Sequence, residues 1–184
     1  KIPGRFGFDP LLDIQVLSPM HRGILGVSSL NRHLQFLLNP GSGGIVIGSQ
    51  QLRIGDKVMQ MRNNYDLGVF NGDMGKITNI DHEGSQIEVD IDEHIVCYQL
   101  ADLDNLALAY ACSIHKAQGN EYPAVVIVLH TQHYIMLHRN LLYTALTRGK
   151  SLVVVVGSMR ALGLAVKRED STQRYTLLKN RLIE

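Results

Sequence analysis

The chain lacks the features that mark several protein classes. It has only two cysteines, Cys97 and Cys112, in apolar segments and without metal-ligand spacing. That excludes a disulfide scaffold or a cysteine-based metal site. Both read as small buried hydrophobes in a reducing, cytoplasmic compartment. Neither sign of charge prevails, because 18 Lys and Arg stand against 17 Asp and Glu, a formal net charge of +1. Bulk electrostatics therefore make no case for a nucleic-acid partner, although a local basic surface is compatible with a balanced total. No apolar run approaches the ~20 residues of a membrane span, so no membrane partner is expected. No signal peptide is recognisable at the start, and no repeat or low-complexity tract appears. The chain opens at Lys1 rather than at a methionine, with loop-like sequence, as an excised piece of something longer would.

What is present is an ordinary globular composition, 45% hydrophobic over 184 residues, enough for one large domain or two small ones. Residues 1–13 carry Pro3, Gly4, Gly7 and Pro10 and are expected to be irregular. Ile14 to Leu17 is a continuous apolar run, the mark of a strand buried on both faces in a parallel sheet. The loop after it presents His21 and Arg22. Ser28 to Leu38 reads as a helix, capped by Ser28 or Ser29, with Leu30, Leu34, Leu37 and Leu38 at helical spacing. Asn39-Pro40 stops it.

Between about 45 and 104 the pattern changes to short strand-like runs at 56–61, 75–80, 86–91 and 94–100. Ile87, Val89 and Ile91 alternate with Gln86, Glu88 and Asp90, the period of a half-exposed antiparallel strand. Asn71-Gly72 and Glu83-Gly84 are turn dipeptides. The spacing predicts a small barrel inserted in an α/β framework. The α/β pattern then resumes with an apolar run ending at Ser113, a strand over Val125 to Leu129, a helix near Asn140 to Thr147 with Leu141, Leu142, Ala145 and Leu146 on its apolar face, and a strand at 151–157. Residues 158–184, with Leu177, Leu178 and Leu182 at helical spacing, read as a terminal helix.

Chemistry concentrates in one loop. His115, Lys116, Gln118, Gly119, Asn120 and Glu121 lie between two buried-strand candidates, where open α/β sheets bind ligands. Ser113, His115 and Lys116 suit phosphate oxygens, while singly each is equally an ordinary structural or solvated group. Glu121 is either a turn carboxylate or an acceptor for a ribose hydroxyl. Arg148 is either a solvated charge at a helix C-terminus, favourable by about 0.3–1 kcal/mol, or a planar cation aimed at a phosphate. No G-x-x-x-x-G-K-[ST] occurs. On its own chemistry the chain does not read as a complete enzyme.

Four segments together carry a resemblance: QVLSPMHRGILGVSSLNRHLQ (15–35), GDKVMQMRNNYDLGVFNGDMGKI (55–77), YACSIHKAQGNEYPAVVIVL (110–129) and NLLYTALTRGKSLVVVVGS (140–158). In that order they resemble motif IV, the lead into the SH3-like insertion, motif V and motif VI of superfamily 1 DNA helicases. The group is RecD/TraA-like (exodeoxyribonuclease V alpha-chain-like), on the 5′→3′ branch. The resemblance implies a RecA-like P-loop NTPase-type second motor domain, a parallel sheet with flanking helices, over 1–48 and 105–184. It implies an inserted small SH3-like β-barrel over 49–104. By the same resemblance Arg148 is the arginine finger. Gly119, Glu121, Gln118 and, on a looser match, Arg22 are at the ATP side. Ser113, His115, Lys116, Asn63, Asn64 and Tyr65 are at single-stranded DNA. Tyr65 either stacks a base for about 1–3 kcal/mol or is a turn tyrosine packed on the barrel.

The implied cofactors are ATP and Mg2+, the metal held mainly by an N-terminal motor domain of the same polypeptide. Other subunits of a nuclease–helicase complex are further implied partners. Motifs I to III are missing from the sequence and are expected upstream. A binding module that has lost its motor role, or a motor on an RNA track, are the competing readings. The isolated 184-residue chain is expected to show no Mg2+-dependent ATP turnover in a phosphate-release assay. Turnover by the pure chain would overturn that expectation.

Overall fold

The computed structural model describes residues 2–41, 43–81 and 86–169. The expected Glu83-Gly84 turn and the Leu177, Leu178 and Leu182 stretch lie outside the described residues. The elements are α1 (Ile2–Phe6), β1 (Ile14–Ser18), α2 (Val27–Leu38), β2 (Ile45–Ile47), β3 (Gln50–Leu52), β4 (Lys57–Gln60), β5 (Met74–Asp81), β6 (Gln86–Ile91), β7 (His94–Gln99), β8 (Leu106–Leu108), β9 (Ala111–Ser113), β10 (Tyr122–Leu129), α3 (Arg139–Leu146), β11 (Gly149–Gly157) and α4 (Met159–Lys167). The short α1, which buries no residue, replaces the irregular start expected there.

A four-stranded sheet in the order β11-β10-β1-β9 is parallel throughout. β1 sits inside it, buried along its length apart from the half-buried Val16. That is the burial its unbroken apolar run demands. Helices α3 and α4 pack against the sheet through Leu141, Leu142, Ala145, Ala161 and Ala165 in one core with Leu17, Val125, Ile127 and Leu129. Leu146 stays 39% exposed. Gly157 ends β11 where a Cβ would run into the Leu129 carbonyl.

The second sheet is antiparallel, in the order β7-β6-β5-β4-β8, with the β2–β3 hairpin beside it. Its buried face carries Val58, Ile77, Ile87, Val89, Ile91 and Tyr98, and β6 shows the expected alternation. β8 lies past position 104 yet pairs with β4, Met59 opposite Ala107. Asp92 and Glu93 form the tight turn from β6 to β7, both at positive φ. On the edge strand β7 only Tyr98 is buried. Cys97 therefore points outward and is exposed, not buried as expected, whereas Cys112 is buried. Burial pushes the Cys112 thiol up to about 12.

Helix α2 departs from its sequence reading twice. Gly26, not Ser28 or Ser29, is its N-cap, because a Cβ there would strike the Arg22 carbonyl. Its buried stripe is Val27, Asn31 and Gln35, while Leu37 is 70% exposed. Asn31 turns inward because it serves backbone groups of both sheets, on β8 and β9. Its Nδ2 donates to the Leu108 and Ala111 carbonyls at 2.9 Å each, and its Oδ1 accepts from the Ala111 N–H at 2.7 Å. Asn31→Ala is expected to cost about 1–3 kcal/mol, the penalty for stranding buried backbone groups. Equilibrium urea unfolding reads this as a lower midpoint at unchanged slope.

Candidate functional site

The polar loop between β9 and β10 is shaped by its own backbone. The Ala117 N–H donates to the Ser113 carbonyl at 3.1 Å, Gln118 N–H to His115 at 3.2 Å, and Asn120 N–H to Ala117 at 3.2 Å. The buried Ser113 hydroxyl accepts the Lys116 N–H at 3.2 Å. Gly119 then turns the chain at φ +90° with open space beside it. The result is one short loop with two presenting ends.

The first end faces a cleft of about 410 Å³ between α2, β4, β8 and β9. Its polar lining includes His21, Asn31, Arg32, Ser113 and Lys116, beside Met59 and Met61. Lys116 also reaches across to donate from Nζ to the Asn71 Oδ1. Asn71 belongs to the β4–β5 loop, which holds Asn63, Asn64 and Tyr65. The Asn71 N–H donates to the Asn63 Oδ1 at 2.9 Å, and the Asn63 Nδ2 donates to the Tyr65 hydroxyl at 3.4 Å. The Asn64 Oδ1 accepts from the Asp66 and Leu67 N–H groups, closing the loop on itself. Tyr65 is 78% exposed. Its ring meets that of Phe70 at an interplanar angle of 81°, centroids 6.1 Å apart. It is not packed on a sheet.

The second end lines an open depression of about 430 Å³ with Gly119, Asn120, Glu121, Tyr122 and Lys150 on one side and Gly72, Asp73, Met74 and Asp92 on the other. Glu121 is exposed and pairs with Lys150 at 3.6 Å. Arg148 follows α3 and is tied back to the loop. Its Nη1 donates to the Asn120 carbonyl at 3.0 Å, and its Nε donates to the Thr144 carbonyl at 3.1 Å. Its own carbonyl accepts from the Tyr122 N–H at 2.8 Å.

The fold thus brings Ser113 and Lys116 to one cavity and Gly119 and Glu121 to the other. Gln118 and His115 lie exposed on the loop between them. Arg22 is exposed and lines neither cavity; its neighbour His21 lines the cleft instead. Among the described residues no group of three or more His, Cys, Asp or Glu side chains could hold a metal ion. Among the described residues no helix is long and apolar enough to cross a membrane.

Several contributors escaped the sequence reading. Asn31 and Arg32 sit inside a leucine-rich helix, where leucine spacing masks them. The Val27–Asn31–Gln35 interval of four was the available signal. Lys57 gave none. It is 8% exposed, donates toward the Ile14 carbonyl at 3.5 Å, and lies 5.9 Å from the Tyr122 ring centroid. Burial pushes its ammonium down to about 8, against the smaller pull of Cys112, Asp9 and Asp13.

Comparison with known proteins places these features. Residues 30–91 match the ATP-dependent RecD-like DNA helicase SH3 domain, and residues 108–156 match the UvrD-like helicase C-terminal domain. The chain is 43% identical over 166 residues to the ATP-dependent RecD2 DNA helicase of Deinococcus radiodurans, covering 90% of this chain and 23% of that protein. It is 30% identical over 168 residues to the RecBCD enzyme subunit RecD of Mycolicibacterium smegmatis, covering 91% and 29%. The chain therefore spans about a quarter of the length of these relatives. In fold it is similar to the Pif1 helicase from Bacteroides in complex with ADP-AlF3 and ssDNA, with a TM-score of 0.61 and 19% identity over 92% of this chain and 44% of that one.

The folded pKa of Lys57 lies below its unfolded value. The unfolded chain thus binds the extra proton between about 8 and the ordinary value of 10.5, and stability rises with pH across that window. Urea unfolding between pH 7 and pH 9 is expected to show a stability gain in the natural chain relative to Lys57→Met. Equal slopes in both proteins would refute it.

Proposed function

We propose, on the premise that this chain belongs to the RecD-like superfamily 1 DNA helicases, that it is the second motor unit of an ATP-driven 5′→3′ translocase on single-stranded DNA. The motor unit takes in 1–48 and 105–184, and the inserted SH3-like unit takes in 49–104, with β8 closing the seam between them. The observation that carries the reading is the two-ended loop. Ser113 and Lys116 line the cleft, Gly119 to Tyr122 line the depression, and Arg148 is bonded to the same loop through the Asn120 carbonyl. A loop of that kind can pass a change at a nucleotide to a change at a strand.

In this reading the cleft takes the DNA backbone. His21, Arg32 and Lys116 supply cationic or hydrogen-bonding groups, and Ser113 and His115 supply short donors. Asn63, Asn64 and Tyr65 extend the track onto the β4–β5 loop. Tyr65 presents an open ring face to a base. ATP lies against the depression and an N-terminal motor domain of the same polypeptide. That domain holds most of the Mg2+ shell and the phosphate-cradling loop. The residues here fit an edge of such a site rather than its centre. Gly119 leaves open space, Glu121 can exchange Lys150 for a ribose hydroxyl, and Gln118 sits between the two ends. By its looser motif match Arg22 is assigned to the ATP side, although it lines neither the cleft nor the depression. The Mycolicibacterium smegmatis relative, a RecBCD enzyme subunit by name, supports the reading that other subunits of a nuclease–helicase complex are further partners of the whole protein.

Bound ATP supplies the transferable phosphoryl group. The chain's own contribution is charge stabilisation by Arg148, a planar cation bonded to the loop through the Asn120 carbonyl. Arg148→Ala in the full-length enzyme is expected to lower ATP turnover by about 10³-fold or more while leaving single-stranded DNA affinity largely intact. Parallel phosphate-release and fluorescence-anisotropy titrations read the two. Equal loss of both would reject the assignment.

A further inference from the structure

An arginine finger works only if its guanidinium is held in place before the charge develops. Of the guanidinium's five N–H groups, three are engaged within this chain. Nε donates to the Thr144 carbonyl at 3.1 Å, Nη1 to the Asn120 carbonyl at 3.0 Å, and Nη2 to the Thr147 hydroxyl at 3.1 Å. One N–H on each terminal nitrogen is left over, which is what a bidentate grip on a phosphate uses. Two of the three tethers are backbone carbonyls, and the fold supplies them whatever the side chains. The third is a side chain.

The Thr147 hydroxyl is itself oriented. Its proton goes to the Thr144 carbonyl at 3.1 Å, so its oxygen lone pairs are turned to Nη2. The Thr144 carbonyl thus receives both the Arg148 Nε and the Thr147 hydroxyl. Arginine, threonine hydroxyl and carbonyl close a small hydrogen-bonded ring at the end of α3. Thr147 is the C-cap of that helix, and its N–H donates to the Tyr143 carbonyl at 3.0 Å. Its backbone is therefore pinned independently of its side chain. The side chain is exposed and absent from the hydrophobic core. Packing gives no reason for a hydroxyl here, and the guanidinium gives one.

We infer that Thr147 is a positioning residue for Arg148: its hydroxyl, oriented by the Thr144 carbonyl, fixes the guanidinium plane so that the two remaining N–H groups point together at the transferring phosphoryl group. This rests on the reading of Arg148 as the finger. Valine keeps the branched shape and removes the acceptor. Alanine removes both, and serine keeps the acceptor alone. The hydroxyl is needed only while the finger meets developing charge. Its loss therefore falls on kcat and spares KM.

The test uses the full-length enzyme with saturating single-stranded DNA. Thr147→Val is expected to lower kcat roughly 10- to 100-fold, the scale of a small misplacement of a catalytic group. KM for ATP, affinity for single-stranded DNA and the melting temperature stay at natural values. Thr147→Ser restores most of the lost kcat. Thr147→Val adds no further loss when combined with Arg148→Ala, because the two act as one unit. Natural kcat in Thr147→Val beside an inactive Arg148→Ala would overturn the positioning role and leave the finger standing. Natural kcat in Arg148→Ala would remove the finger itself. Failure of serine to rescue, or a fall in melting temperature that accounts for the lost rate, would assign Thr147 to packing instead.

Discussion

The structure depends on one buried carboxylate. Asp56 is wholly buried and accepts four hydrogen bonds. They come from the Gln35 Nε2 at 2.6 Å, the Asn39 Nδ2 at 2.7 Å, the Tyr110 hydroxyl at 2.7 Å and the Arg53 N–H at 2.8 Å. A buried carboxylate with fewer partners would be costly, because desolvation exceeds what one or two bonds return. The four donors come from different places: the end of α2, its C-cap, the turn before β4 and the residue leading into β9. Asp56 therefore bolts the antiparallel unit to the parallel sheet at a single point. Burial and this bond hold the Tyr110 phenol well above its usual range.

That junction sets the shape of the cleft. The walls are α2 and β9 on the side of the parallel sheet and β4 and β8 of the antiparallel sheet, so their separation is decided where Asp56 and Asn31 clamp them. A second, weaker junction lies under the depression lined by Gly119 to Tyr122. There Lys57 of β4 lies near the Ile14 carbonyl and the Tyr122 ring, and the Tyr122 hydroxyl donates weakly to the Met74 sulfur at 3.9 Å. The antiparallel sheet thus touches the parallel one beneath both ends of the loop that runs from Ser113 to Tyr122. The loop is held at both ends, with open space beside Gly119 between them.

Arg148 shows how local rules and tertiary contacts combine. Its place after α3 follows from the helix ending at Thr147, and a cation there is favourable to the helix dipole on any reading. Its direction does not follow from that. The Asn120 carbonyl, from a different stretch of chain, turns the guanidinium toward the loop, while the Thr144 and Thr147 oxygens keep its plane.

Much was legible in the order of residues. The unbroken apolar run at Ile14 to Leu17 and the alternation Ile87, Val89, Ile91 announced a doubly buried and a singly buried strand. Side-chain period and face exposure are coupled by backbone geometry alone. The density of donors between Ser113 and Glu121 marked the site for the same kind of local reason. Helix α2 could not be read so simply. Its leucines promised a buried face, but the helix presents Asn31 and Gln35 inward, because unpaired carbonyls and a carboxylate waited there. Cys97 likewise turned outward because β7 became an edge. The sequence by itself determined which segments are strands and helices and where chemistry is concentrated, since those depend on neighbours along the chain. Tertiary structure alone decided which helix face is buried, which lysine loses its water, and where Arg148 points. Each of those depends on groups distant in sequence that meet only when the two sheets close on Asp56.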